Sequence, residues 1–376
     1  MSPSRCLLIL TAALTVASSG VGCVTRDRGE EPRLGAEFRT GLPLEPGFAQ
    51  QFDYATRWAR DVVLGDGQSV FAARVIGDLL VVTERPDNIV TAIDLDDGSL
   101  AWKTIVGEEL EELYAPIGDE DHVYVNSSAR LFTLNRLNGE LTTISNLTRP
   151  VDMSPIMLGT GTAVFGSVSG RVFAYEVDTT IRRWAYALEE TVTATPITDG
   201  AALVFAVDSG GHYVMLEAAT GELRWRGSTF GRVSAEPVWD RSFVLVASED
   251  QALYSFSSTT GQPRWPAFRS EVPLSETPVV IDGVIYLIEP GRGLTAIDSR
   301  TGEARWTRPT IYTAVAARGD RVVAYNREEL VELEPETGRT LRSVPLRPLQ
   351  DMIPGPDGSL LLIAENGQTL RIDTLR

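Results

Sequence analysis

Apolar and polar positions alternate along most of this chain in short runs, and the runs return in the same order every 36 to 41 residues. The clearest copy is residues 295–306, TAIDSRTGEARW: an alternating strand ending at Asp298, a tight turn at Thr301-Gly302, and a second strand carrying Trp306. In successive copies the first strand ends at Asp94, Asn135, Glu176, Glu217, Ser257, Asp298, Glu334 and Asp373. Four positions further on stand Gly98, Gly139, Gly221, Gly261, Gly302 and Gly338, with Thr180 the exception. Eight positions further on stand Trp102, Trp184, Trp225, Trp265 and Trp306, replaced by Thr143 and Arg342 in two copies. Period-two alternation predicts strands, and a repeat of about 40 residues built only from strands predicts the blades of a β-propeller.

Each marker has a physical reason. Glycine tolerates the positive φ that a tight hairpin demands. An acid or amide at the strand end can bond to the backbone of the turn that follows it. The tryptophan sits on the outgoing strand, where it can wedge between neighbouring sheets and bury an area of ~200 Å², a gross gain on the order of 5 kcal/mol. Trp58 fits this scheme; Trp239 does not.

A second marker falls inside the repeats: Pro116, Pro155, Pro196, Pro237 and Pro278. Each starts a short strand, a position where proline costs no ladder bond, and an apolar run follows. A blade is therefore predicted as an inner strand, an apolar second strand, the strand ending in the turn acid, and an outer strand with tryptophan. Blade seven, with residues 314–317 in place of the proline, and blade eight, with Pro354-Gly355-Pro356, are less regular. Residues 54–60 read as a strand carrying Trp58 with no hairpin before it, and residues 370–373 read as a first strand whose mate is missing. Pairing these two ends seals the ring and removes its exposed edges. The expectation is an all-β, eight-bladed propeller of four-stranded antiparallel blades, the last closed by the N-terminal strand, with almost no helix. Seven blades is the alternative if that strand does not close the ring.

The acidic run at residues 108–112 is expected to form one irregular turn. Ahead of the repeats, Arg5, an apolar stretch at residues 7–17 and Gly20-Val21-Gly22 before Cys23 read as an export signal, too short for a spanning helix. The segment resembles a lipobox, with Gly20 where a larger aliphatic residue is usual, and makes Cys23 the expected lipidated residue. Cleavage would remove Cys6, so the even cysteine count does not signal a disulfide. Val24 after the cysteine points to the outer membrane by the enterobacterial sorting rule. The expected organisation is residues 1–22 as signal peptide, 23–51 as lipidated cysteine and tether, and 52–376 as propeller, with Phe48 and Phe52 available to pack against it. The net charge of −17 disfavours nucleic-acid binding, because an acidic surface repels phosphate.

The stretches at residues 295–306, 216–225 (LEAATGELRW) and 255–265 (SFSSTTGQPRW) resemble the AxDxxTGxxxW motif of the PQQ-like propeller repeat family, and the resemblance runs over residues 54–376. The repeat occurs in quinoprotein dehydrogenases and in non-enzymatic proteins. A lipidated eight-bladed member of this length is similar to the BamB family of outer-membrane barrel-assembly lipoproteins. That resemblance implies a non-enzymatic, periplasm-facing scaffold that binds envelope proteins, the assembly barrel among them. No binding motif of that family maps onto individual residues of this chain.

Catalytic chemistry finds little support in the residues. Quinone chemistry needs a bound quinone, a divalent cation, an Asp base and, by family resemblance, adjacent cysteines, a pair this chain lacks. Of the two histidines, His122 opens an apolar strand, and His212 sits beside Asp208 and Gly210-Gly211 in a predicted loop. No nucleophile-elbow, zincin, Walker or EF-hand spacing occurs. No catalytic residue, metal site or cofactor is expected. A quinone or small ligand at the channel mouth remains the alternative, and cell-wall or carbohydrate binding a third, with Tyr114, Phe230, Trp239 and Tyr312 as aromatics near loops. Loops joining second to third strands share a face with the loops that join one blade to the next. On that face Glu84, Arg85, Asp208, His212, Glu249, Asp250, Glu289, Arg292, Arg327 and Glu328 form the candidate rim for a protein partner.

Overall fold

A computed structural model describes residues 42–375 apart from 62–68, 109–110, 160, 178, 180, 311, 356–357 and 365. The signal segment and Cys23 lie outside the described residues. The strands assemble into eight four-stranded antiparallel sheets. Blade one takes Ser69–Ile76, Leu79–Arg85, Ile89–Asp94 and Leu100–Ile105 from the channel outward, and blades two to seven each use the next four strands in order. Blade eight combines Leu349–Pro354, Leu360–Ala364 and Gln368–Thr374 with Tyr54–Asp61 from the other end of the chain. In that last pairing Tyr54 faces Thr374, Trp58 faces Arg371 and Asp61 faces Gln368. Ring closure by the N-terminal strand is thus the observed arrangement, and there are eight blades, not seven.

The burial pattern follows from blades stacking face against face. Second and third strands are covered on both sides, so they read as unbroken apolar runs, such as Leu360–Ala364, buried throughout. Outer strands are covered on one side only and alternate, as in Leu223–Ser228. The prolines at 116, 155, 196, 237 and 278 each directly precede the inner strand of their blade. Blade eight is irregular, as its sequence suggests: Pro354 ends its inner strand.

Each repeat tryptophan, on its outer strand except for Trp265, which precedes the strand Phe268–Arg269, binds the next blade by one repeated device. The indole N–H donates to the carbonyl of the residue after the neighbour's turn position: Trp58 to Leu95 at 2.7 Å, Trp102 to Arg136 at 2.8 Å, Trp184 to Ala218 at 2.8 Å. Trp225 to Ser258, Trp265 to Ser299 and Trp306 to Pro335 repeat it. The ring of the same tryptophan lies over the neighbour's turn glycine so closely that a Cβ on Gly98 or Gly139 would sit 2.6 or 2.5 Å from it. These glycines, at φ near +70°, therefore serve two needs: the turn's handedness and the indole's approach. The sequence itself records the coupling. The copy that lacks the tryptophan, with Thr143, precedes the copy that lacks the glycine, with Thr180.

Turn acids close their own turns as expected, by two routes set by side-chain length. The short Asp94, Asn135 and Asp298 accept directly from backbone N–H groups of the turn. The longer Glu217 and Glu334 accept from the hydroxyls of Thr220 and Thr337.

The one α-helix among the described residues, Pro46–Gln51, falls in the stretch expected as tether. Leu44, Ala49 and Phe52 are buried in the core between blades seven and eight, with Phe48 packed against them. Blade seven is the blade whose outer strand carries Arg342 in place of tryptophan. There the guanidinium donates to the Gln51 carbonyl at 2.6 Å and the Asp53 carboxylate at 2.8 Å. The N-terminal segment fills the space that an indole fills elsewhere.

Buried and half-buried tyrosines give the fold an alkaline limit. Burial pushes the Tyr54, Tyr213, Tyr312 and Tyr325 hydroxyls up to about 12, with Glu329 adding to the effect at Tyr312. The unfolded chain ionises near 10, so above that value it loses protons that the folded chain keeps. Stability is full below pH 10 and declines through pH 12, by a total on the order of several kcal/mol. Urea midpoints measured across this window should fall steadily as the pH rises.

Candidate functional site

The face of the wheel that carries the inter-blade loops is built from two sets of connections. The first joins second to third strands, and the second joins an outer strand to the next inner strand. Several of the expected rim acids turn out to be internal fasteners of these loops. Glu84 is fully buried, accepts a 2.5 Å bond from Thr91 and faces Lys103 at 3.4 Å. Glu289 is fully buried between Ser270, Thr295 and Arg292. Asp208 is fully buried and accepts from the backbone N–H groups of Glu190, Gly210 and His212. As candidates for contact with a partner these three are corrected: a buried carboxylate with its lone pairs engaged inside the blade has nothing to offer outward.

The remaining rim positions divide. Arg85 is half-buried, donates to the Leu113 carbonyl at 2.6 Å and stacks on Phe71 with its guanidinium carbon 3.4 Å from the ring centroid. Arg292 bridges buried Glu289 at 3.0 Å and exposed Glu271 at 3.3 Å. Asp250 is half-buried and holds Phe230 N–H at 3.0 Å, while Glu249 accepts from Ser234 at 3.0 Å. Arg327 and Glu328 are exposed. With Thr313, Tyr325, Asn326 and Leu349 they line an open cavity of about 380 Å³ between blades seven and eight.

His212 is the first residue of its third strand, not a loop residue as expected. Its Nδ1 lies 3.1 Å from Asp208 and its Nε2 lies 3.5 Å from Glu189. His122 opens its strand as predicted, with Asp119 accepting from its backbone N–H at 2.8 Å. Among the described residues no group of three or more His, Cys, Asp or Glu is placed to hold a metal ion. No helix among them is long and apolar enough to cross a membrane.

The channel wall is asymmetric, which the sequence markers hinted at only through the missing prolines. The inner strands of blades two to six are two or three residues long, for example Ile117–Gly118 and Val279–Ile281. Those of blades one, seven and eight run to eight, six and six residues and each carries a bulge. Between the short strands a polar belt links equivalent positions, with Thr195 donating to Glu236 at 2.8 Å and Glu236 N–H to Thr277 at 3.0 Å. On the long side, burial raises Asp351 above the usual carboxylate range, with Arg74 3.8 Å away. Near the mouth, burial likewise raises Asp152.

Of the aromatics expected near loops, Tyr312 is buried, Tyr114 and Trp239 are half-buried, and Phe230 stands 87% exposed. Phe230 was not among the rim residues, because exposure of a single loop side chain leaves no periodic trace.

The family model described as outer membrane protein assembly factor BamB matches residues 53–211, 169–332 and 268–352, which together span most of the propeller. The chain belongs to the BamB family. A BamB of Yersinia pestis is 24% identical over 329 residues, 81% of this chain and 74% of that protein. One from Burkholderia pseudomallei (strain K96243) is 24% identical over 174 residues, so the match spans only 45% of each chain. The crystal structure of BamB from Moraxella catarrhalis superposes with a TM-score of 0.68 at 15% identity, covering 85% of this chain and 99% of that one. The computationally designed Ika8 protein does nearly as well, with a TM-score of 0.66 at 14% identity, covering 82% of this chain and 96% of that one. At such identities both structural likenesses speak to fold alone. Family membership rests on the sequence match.

Proposed function

We propose that this chain is a non-enzymatic scaffold of the cell envelope, anchored through a lipid on Cys23 and facing the periplasm, that binds protein partners in outer-membrane protein assembly. The observation that carries the reading is the match of the BamB family model across residues 53–352. Two features support it. A sealed ring of eight blades presents a broad, rigid loop face, the kind of surface a scaffold uses. The acids buried beneath that face fasten its loops, which keeps the surface pre-organised and reduces the ordering cost of binding. In this reading residues 1–22 are removed and the segment following Cys23 is the tether that leaves the wheel beside blade seven, where Pro43 accepts from Arg347 N–H at 3.0 Å.

The test is crosslinking of the full-length, tagged chain in intact envelopes, alongside a Cys23→Ser variant. The expected result is a covalent complex with the periplasmic domains of the outer-membrane assembly barrel, and release of the Cys23→Ser chain from the membrane fraction. Recovery of no envelope protein by the wild-type chain would overturn the scaffold role. Membrane retention of the Cys23→Ser chain would overturn the anchor.

A further inference from the structure

On the face opposite the inter-blade loops, where inner strands turn into second strands, blades one and two enclose an open cleft of about 460 Å³. Its floor is apolar. Val75 and Ile76 end the eight-residue inner strand of blade one, and Pro116 and Ile117 come from blade two, whose inner strand is only Ile117–Gly118. The longer strand outruns the shorter one, and Val75 and Ile117 stay half-buried. The walls are fixed. Gly118 lets the two inner strands touch, since a Cβ on it would lie 2.5 Å from Ile76 Cγ2. Asp119 sets the turn of blade two by accepting from Asp121 N–H at 3.0 Å, His122 N–H at 2.8 Å and the Tyr124 hydroxyl at 2.8 Å. Arg136 ties that turn to blade one: its Nε donates to Glu120 O at 2.6 Å, its backbone N–H to Asp121 O at 2.9 Å, and its guanidinium pairs with Asp78.

The cleft lies in an acidic sector of the ring. Residues 69–146, which make blades one and two, hold fourteen Asp and Glu against five Lys and Arg, −9 of the net −17. At the cleft itself Arg136 is met by Asp78, and Arg74, at the channel end, by Asp351 at 3.8 Å. That leaves Asp119, which lines the cleft, and the exposed Glu120 and Asp121, whose carboxylates pair with no described side chain. On the same face, next to Arg136, Leu137 stands 76% exposed. The corresponding turn position holds Asp96, Thr259, Arg300 and Glu336 in other blades, so the fold makes no demand for an apolar side chain there. Such a leucine gains nothing for stability, because its area stays in water.

We propose that this cleft docks a short segment of a protein partner that carries aliphatic side chains flanked by arginine or lysine. The aliphatic groups enter the floor beside Val75 and Ile117, and the cations face Glu120 and Asp121. A cleft of this volume takes a few side chains, not a folded domain. The unbalanced carboxylates repel anionic ligands, phospholipid headgroups among them, and favour a basic segment. Asp119 and Arg136 hold the walls before anything binds, so the ordering cost falls on the segment alone. This surface goes beyond the scaffold reading: it lies on the other face of the wheel from the candidate rim and from the exit of the tether.

The test follows the fluorescence anisotropy of a labelled hexapeptide of alternating leucine and arginine as the purified chain is added. Saturable binding is expected, and serine in place of leucine, or glutamate in place of arginine, should each weaken it about tenfold or more. Glu120→Arg combined with Asp121→Arg should raise Kd about tenfold or more, and Leu137→Ser should raise it less. Glu222→Arg combined with Glu303→Arg makes the same charge change on exposed hairpins of blades four and six, and should leave Kd within about twofold. All these positions are exposed, so melting temperatures should match wild type. No saturable binding, equal affinity for the serine peptide, or an equal loss in the Glu222 and Glu303 pair would overturn the proposal. A dimer in sedimentation that the peptide dissociates would give the cleft to a second copy and overturn it as well. The peptide assay contains no assembly component, so its failure leaves the proposed function standing, and loss of crosslinking to the barrel leaves this cleft standing.

Discussion

Replacing Trp58 with alanine is expected to cost the fold about 3–5 kcal/mol, as a buried tryptophan truncation does, and to open the wheel at its seam. Trp58 is 5% exposed, packs with Leu80, Val82, Leu361 and Ile363 in the core between blades eight and one, and donates to Leu95 O at 2.7 Å. It also lies on a strand that no hairpin joins to the rest of blade eight and that is held there by its ladder to Gln368–Thr374. An internal tryptophan such as Trp102 sits on a strand tied to its blade by a hairpin, and loss of its ring leaves that strand tethered. Trp58→Ala should therefore resemble Trp102→Ala in urea midpoint but differ in hydrogen exchange. Protection should vanish first at residues 54–61 and 368–374. If the two variants lost protection in the same places, or if Trp58→Ala left the midpoint unchanged, the seam would not depend on this residue.

The wheel was legible in the sequence because its contacts are periodic. Trp102, Gly139 and the residue after Asn135 form one contact, and the same three positions recur around the ring at a fixed spacing. Even the exceptions are paired, Thr143 with Thr180. The closing strand was readable for a related reason: residues 370–373 match the first strand of the motif, and residues 54–60, with Trp58, match its second. What a repeat cannot show is which polar residue faces in. Glu84, Asp208 and Glu289 look like surface acids because they stand at loop starts beside Gly, Pro or Arg. Their side chains turn inward to collect N–H and hydroxyl donors contributed by other stretches of chain, such as Glu190 N–H and Ser270, and that convergence has no period. Phe230 escaped the rim for the converse reason. Apolar residues are read as core, and only the clamp by Asp250, twenty residues on, shows that this one is held outward.

Loss of the Glu332 carboxylate should release the N-terminal segment. Glu332 is fully buried on the third strand of blade seven, and three guanidinium groups converge on it: Arg318 at 3.0 Å, Arg321 at 2.8 Å and Arg342 at 3.0 Å. Arg318 and Arg342 in turn grip the incoming chain. Arg318 donates to the Phe52 and Asp53 carbonyls, and Arg342 donates to the Gln51 carbonyl and the Asp53 carboxylate. Glu332→Gln keeps the volume but leaves three like charges facing one another, compensated from the solvent side by the exposed acids Asp53 and Asp320. Breaking a buried ion pair from one side costs about 3–5 kcal/mol, and the arginines here are partly solvated, so the lower end, about 3 kcal/mol, is expected. Limited proteolysis should cut the Glu332→Gln chain between residues 42 and 53 well before the blades, while wild type resists. Adding Arg342→Gln to it should recover part of the loss by removing one of the stranded charges, a coupling that a double-mutant cycle reads directly. Cleavage spread evenly along the blades, or strictly additive losses in the cycle, would show that Glu332 supports its own blade and not the seam.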